Sequence, residues 1–120
     1  MILAPVMTQL DAVRDYLNSN TINEPILDWV EERGGGYVWD AEVFAVNLLD
    51  VLFSDEDAER LSQLVGVQQI AVDASRMSFD GLRTLAGISG ISSLVIRAGN
   101  LTEEHVDQLR TSCKDIQLID

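Results

Sequence analysis

Apolar positions recur with a period of 24 residues through the second half of this chain. Val43-x-x-Val46-x-Leu48 stands 24 residues before Val67-x-x-Ile70-x-Val72, which stands 24 before Ile91-x-x-Leu94-x-Ile96. The later apolar positions keep step: Phe53, Met77 and Leu101, then Ala58, Leu82 and Val106, then Leu61, Leu85 and Leu109. A partial fourth copy, Cys113-x-x-Ile116-x-Leu118, arrives two residues early. Within each copy the spacing changes from the two-residue alternation of a strand to the wider spacing of a helix face. Each copy therefore predicts a strand, a turn and a helix. A unit of this kind cannot bury its apolar face alone, so stacked copies imply a solenoid with a parallel sheet.

The chain before the repeat predicts two helices and a hairpin. Leu10, Val13 and Leu17 share one face of a helix over residues 8–18, and Asn18-Ser-Asn-Thr21 breaks it. A second helix, Asn23 to Glu32, places Pro25 in its first turn, where proline is tolerated, and gathers Ile26, Trp29 and Val30. Gly34-Gly35-Gly36 ends it, because glycine accepts the left-handed C-terminal conformation. Tyr37 to Trp39 reads as a short strand and Asp40-Ala-Glu42 as a turn into the first repeat strand, Val43–Leu48. A continuous helix from Ala41 to Phe53 competes locally, and the 24-residue register favours the strand. Ser54, Ser78 and Thr102 occupy equivalent positions as helix N-caps, followed by acids that suit the positive end of the helix dipole.

The run Leu-x-x-Leu-x-Leu-x-x-Asn-x-Leu is the leucine-rich-repeat pattern, and residues 43–120 resemble it. The stretches Ser75 to Leu82 and Gly99 to Val106 are similar to a bacterial subtype in which each strand leads to a Ser/Thr-Asp/Glu helix start. Residues 33–48 resemble the entry to such domains. The usual asparagine is replaced by Val51, Ser75 and Gly99, which implies a looser turn. The resemblance implies an α/β fold: a short leucine-rich-repeat solenoid, parallel sheet on the inner face, helices outside, and an N-terminal helical cap. Residues 1–42 would form the cap and hairpin and residues 43–120 the solenoid, within one compact domain. The family implies binding rather than catalysis and brings no catalytic residues.

Composition narrows the partner. The chain carries a net charge of −12, and 13 acids against 3 arginines put −10 of it on residues 1–60. Nucleic acid and anionic membrane surfaces would be repelled. A basic protein partner would be attracted, although acidity also serves solubility. No apolar run is long enough to span a membrane, and the apolar start Met1 to Met7 lacks the basic flank and cleavage site of a signal peptide. Cytoplasmic location is expected. The single Cys113 excludes an internal disulfide and reads as a buried thiol.

Candidate chemistry is sparse. Asp55-Glu-Asp57 lacks the glycine turn and distal glutamate of a calcium loop and reads as helix-start acidity. His105 reads as a solvated surface residue with no second histidine to share a metal. Gly34-Gly-Gly36 follows a helix and lacks the Lys-Ser/Thr of a phosphate loop. Trp29, Tyr37 and Trp39 read as core packing. Strand alternation leaves one face exposed: Ala45, Asn47 and Leu49; Gln69, Ala71 and Asp73; Ser93, Val95 and Arg97; Asp115, Gln117 and Ile119. The protein-binding candidates on this face are Asn47, Leu49, Gln69, Ala71, Asp73, Ser93, Val95, Arg97, Gln117 and Ile119. The expectation is a non-enzymatic protein-binding module without cofactor or metal, with neutralisation of a basic protein as its concrete form. The alternative is self-association through the C-terminal strand edge, and an enzyme fits least.

Overall fold

The computed structural model describes residues 21–97 and 99–119. Helix α1 covers residues 21–32 among those described. The remaining elements are β1 (Gly36–Trp39), β2 (Phe44–Leu48), α2 (Asp55–Leu61), β3 (Gln69–Asp73), α3 (Phe79–Ala86), β4 (Ser93–Arg97), α4 (Glu103–Arg110) and β5 (Asp115–Ile119). The fold is α/β, built on a five-stranded sheet in the order β1-β2-β3-β4-β5. β1 runs antiparallel to β2, and every later pair is parallel. A helix between consecutive parallel strands is what such a sheet requires, because parallel neighbours need a crossover.

The repeat register is the register of the sheet. Val46 pairs with Ile70, Ile70 with Leu94, and Leu94 with Ile116. These four residues form one stacked row, exposed by 2%, 0%, 0% and 5%. Ala58, Leu61, Leu82, Leu85, Val106 and Leu109 close over the row from the helices and complete one apolar core. Val67, Ile91 and Cys113 enter it just before their strands, and the Cys113 thiol is buried as expected.

The caps form as the sequence implies. Ser54, Ser78 and Thr102 each accept a hydrogen bond from the third helical backbone N–H, which would otherwise be an orphan donor. Gly34 ends α1 at φ 95°, a conformation that a side chain would oppose. At Gly35 a Cβ would stand 2.8 Å from the Asn47 carbonyl oxygen, so the chain can pass there only as glycine. Asn23, fully buried, fastens α1 to the loop before β3: its amide donates to the Val65 carbonyl at 2.9 Å and accepts from the Val65 N–H at 2.8 Å.

Expectations change at five residues. Val43 is 45% exposed, and Phe44, 4% exposed, takes its place in the core. The first repeat strand is entered from a hairpin, and Asp40 Oδ1 holds the Glu42 and Val43 N–H groups at 2.8 Å in that turn. Leu118 follows the core pattern but is 52% exposed, because no described element covers it. Thr21 is helical rather than part of a break, and Pro25 is the fifth residue of the described helix, beyond its first turn there. His105 is half-buried: its ring stacks on Phe79 at 4.4 Å, and Nδ1 accepts the Thr102 N–H at 3.3 Å. The expected helix over residues 8–18 lies outside the described residues.

Candidate functional site

Among the described residues the sheet has one face under the helices and one open face. Residues that pair directly across strands share a face, and the pairing sorts the open face into three rows. The first row is Val38, Ala45, Gln69, Ser93 and Asp115. The second is Gly36, Asn47, Ala71, Val95 and Gln117. The third joins Asp73, Arg97 and Ile119, with Leu49 just beyond the end of β2. All ten candidate residues therefore lie on or at the margin of this one face. Ala71 is the exception to their expected exposure: it is buried at 9%, a methyl group on the central strand between Asn47 and Val95.

Gly36 and Ala71 lower the middle row, and a shallow depression of about 510 Å3 forms there. Its walls include Val38, Ala45, Leu49, Gln69 and Val95. Val38, 53% exposed, belongs to this surface although sequence reasoning left it out. The signal was present: alternation along Tyr37-Val38-Trp39 separates Val38 from its neighbours, but only the pairing of Val38 with Ala45 shows which side it takes. Trp39 faces the other way and stacks on Phe44 at 5.3 Å. Trp29 packs against the core beneath the guanidinium groups of Arg33 and Arg60, 5.6 and 5.1 Å from its ring centroid. Tyr37 is exposed at 38%.

Polar side chains on and beside this face are held in fixed arrangements. Arg97 Nη1 donates to the Leu49 carbonyl at 3.3 Å and stands 3.9 Å from Asp50. The Asn47 side-chain amide oxygen, Oδ1, accepts the Leu49 N–H at 2.9 Å. Asp73 accepts the Ser75 N–H at 2.9 Å; that bond, then the Ser75 side chain and the Arg97 charge, hold its carboxyl below the usual carboxylate range. At the far strand, Ser93 and Gln117 both donate to Asp115, at 3.1 and 2.9 Å. Asp73 and Asp115 thus share the face with the depression, Asp50 lies at its margin, and Arg97 is the counter-charge on the three rows.

No group of acids, histidine and cysteine among the described residues has the arrangement of a metal site. No described helix is long and apolar enough to cross a membrane. Cys113 sits under the sheet, where burial pushes its thiol upward, and it donates to the Asp115 carbonyl at 3.7 Å. A second cleft, about 600 Å3, lies between α3 and α4. It offers hydroxyls, amides and the exposed Asp80–Arg83 pair at 3.6 Å, with less apolar floor than the sheet face. No protein-family model matches this chain, and no curated protein or solved structure matches it.

Proposed function

We propose that this chain is a short leucine-rich-repeat solenoid that works as a non-enzymatic protein-binding module, with the open sheet face as its binding surface. One observation carries the reading: a partly apolar sheet face with a shallow depression, left open by the described residues, whose side chains come from every strand. Exposed apolar surface rimmed by polar groups is characteristic of protein interaction sites. The partner is a basic protein. Asp73 and Asp115 lie on the same face, Asp50 lies beside Arg97 at its margin, and the −10 of residues 1–60 steers a cationic surface toward it. The concrete form is neutralisation of a basic protein by occupation of its functional surface. Location in the cytoplasm belongs to the same proposal.

The test is capture from the lysate of the producing cells by the wild type and by Val95→Arg, each confirmed folded by circular dichroism. A basic protein should be retained by the wild type, released as salt rises, and lost with Val95→Arg. Equal retention by the variant would remove the open face as the site. A captured protein without basic character, held equally at low and high salt, would remove the electrostatic part.

A further inference from the structure

The outer side of β1 carries a row of backbone groups apart from the open face. Among the described residues β1 is an edge strand of the sheet, and the hairpin fixes which of its groups turn outward. The Asp40 N–H donates to the Val43 carbonyl at 3.0 Å, so Asp40 and Val43 form a bonded pair. In an antiparallel ladder only alternate pairs exchange bonds. Val38 with Ala45 and Gly36 with Asn47 therefore bond inward, and Tyr37 and Trp39 turn their N–H and C=O groups away from β2. Phe44, opposite Trp39, gives the same phase. Its N–H donates to the Gln68 side chain at 3.1 Å and its carbonyl accepts the Gln68 N–H at 2.8 Å, both on the β3 side. No described strand meets the outward groups of Tyr37 and Trp39.

The surroundings of this edge are acidic. The Tyr37 hydroxyl is hydrogen-bonded to Glu31; that bond, then burial and the charges of Glu31, Asp28 and Glu24, push its pKa upward. Asp40 and Glu42 stand in the turn where β1 ends. The one cation between residues 21 and 59 is Arg33, and it is held by Asp57 and the Leu52 carbonyl. We propose that the β1 edge takes an extended basic segment of another protein as an added strand. Its main chain bonds the outward groups of Tyr37 and Trp39, and its side chains alternate between the two faces of the sheet. Those on the Tyr37 side meet Asp28 and Glu31, which selects Lys or Arg. Those on the opposite side lie beside the exposed Val38, which selects an apolar residue. A second copy of this chain suits the edge poorly, because it would set the acids of one edge against those of the other. The inference stands apart from the open-face reading: the added strand lies outside β1, whereas Val95 is on β4, three strands away.

Fluorescence anisotropy of a dye-labelled Lys-Val-Lys-Val-Lys-Val-Lys peptide, titrated with the full chain, tests the pairing. The wild type should bind it and should not bind the same peptide with Glu in place of Lys. Tyr37→Pro removes an outward N–H without touching the β1–β2 ladder, a placement that an edge strand tolerates. It should abolish binding with an unchanged circular dichroism spectrum, whereas Tyr37→Thr keeps the N–H and should retain it. Asp28→Lys with Glu31→Lys should weaken binding more than the same charge change at Glu103 and Glu104, on α4. Val95→Arg should leave binding unchanged. A wild type that does not bind the peptide overturns the proposal. So does a folded Tyr37→Pro that binds as the wild type does, which would show only the general attraction of a cation to an acidic chain. If Tyr37→Pro does not fold, equal weakening by the two charge pairs overturns it instead. Loss of binding in Val95→Arg would move the peptide to the open face, against this proposal and in favour of the other. A two-chain mass in light scattering that Tyr37→Pro abolishes would give the edge to a second copy and overturn it as well.

Discussion

The seam between α2 and α3 and the seam between α3 and α4 are built from the same repeat positions by different chemistry. In both, the first residue of one helix reaches the third residue of the next, and at the first seam its cap as well. At the first seam Asp55 lies over Gly81 and accepts from the Ser78 N–H at 2.9 Å and the Ser78 hydroxyl at 2.6 Å. At the second, Phe79 stacks on His105 with ring centroids 4.4 Å apart. The difference traces to the third helical residue. His105 has a ring nitrogen that accepts the N–H of its own cap, Thr102, and so closes a capping box within its helix. Asp57 does the same for Ser54 in α2. Gly81 has no side chain, so the Ser78 N–H would lack this partner, and Asp55 supplies it from the preceding unit. A missing group in one repeat is replaced by a carboxylate in its neighbour, which ties the two helices together. Where the box is complete, the same position is free to carry an aromatic ring.

The shared core beneath the seams should not distinguish them. Leu61, Leu85 and Leu109 hold one position in three units and are exposed by 0%, 0% and 1%. Replacing any of them by Ala should cost about 2–5 kcal/mol through lost burial and the cavity left behind. Ile70→Ala and Leu94→Ala, in the stacked sheet row, should fall in the same range. Urea denaturation of the five variants measures this. A near-wild-type midpoint for any one of them would show that its unit is not packed as the others are.

Phe79→Ala should cost less, about 2 kcal/mol, because the ring is only partly buried and its gain comes from packing and from the stack. Arg83, 6.0 Å from the same ring centroid, loses its own contact as well. A double-mutant cycle with His105→Ala isolates the stack, and a coupling of about 0.5–1.5 kcal/mol is expected. Additive losses would mean that the rings merely adjoin.

The sheet was legible in the sequence because its information is periodic. The 24-residue spacing gave the strand register residue by residue, and Val46, Ile70, Leu94 and Ile116 pair as the pattern demands. The open face followed from alternation alone. The ends were harder. Val43 fits the repeat pattern, but a strand entered from a hairpin is fixed by the Asp40 turn rather than by the preceding helix. Leu118 fits it too, yet burial depends on what lies beyond the strand. The seams were invisible for another reason. His105 reads as a solvated residue by its polarity, and only the neighbouring unit shows that Phe79 covers it. Nothing in the local sequence of α3 reveals that its capping partner is Asp55.

Asp55→Ala should cost about 1–2 kcal/mol by leaving the Ser78 N–H and hydroxyl without their acceptor. The seam hypothesis makes a sharper demand on the repair. Gly81→Asp in the Asp55→Ala background should recover most of that loss, since it restores a capping box within α3. The same substitution alone should destabilise, because a Cβ at Gly81 runs into the Asp55 carboxylate and a second carboxylate repels it. Thermal unfolding of the three variants decides the matter. A Gly81→Asp effect of the same sign in both backgrounds would end the idea that Asp55 substitutes for a missing side chain.

The smallest effect concerns the other side of α2, toward α1, where a charge pair does the joining. Arg33 donates to both Asp57 oxygens at 3.1 Å and to the Leu52 carbonyl at 2.6 Å. Burial pushes the Asp57 carboxyl upward, but Arg33 and the Ser54 backbone and hydroxyl donors outweigh it and leave it below the usual carboxylate range. A carboxylate whose folded pKa is depressed binds protons less readily than its unfolded counterpart. Its contribution is therefore complete above the unfolded value, about 3.9, and is lost as pH falls through the folded value. The pair is partly solvated, with side-chain exposures of 36% and 15%, so the contribution should stay below about 1 kcal/mol. The measurement is urea denaturation of the wild type and Asp57→Asn from neutral pH down through the acid range. Asp40 and Asp73 are depressed as well and act in both proteins, so the difference between the two curves isolates Asp57. That difference should be constant at neutral pH and shrink below the unfolded value. If it stays constant through the acid range, the Arg33–Asp57 pair adds no pH-dependent stability, and this seam rests on its other contacts, the Arg33–Leu52 hydrogen bond among them.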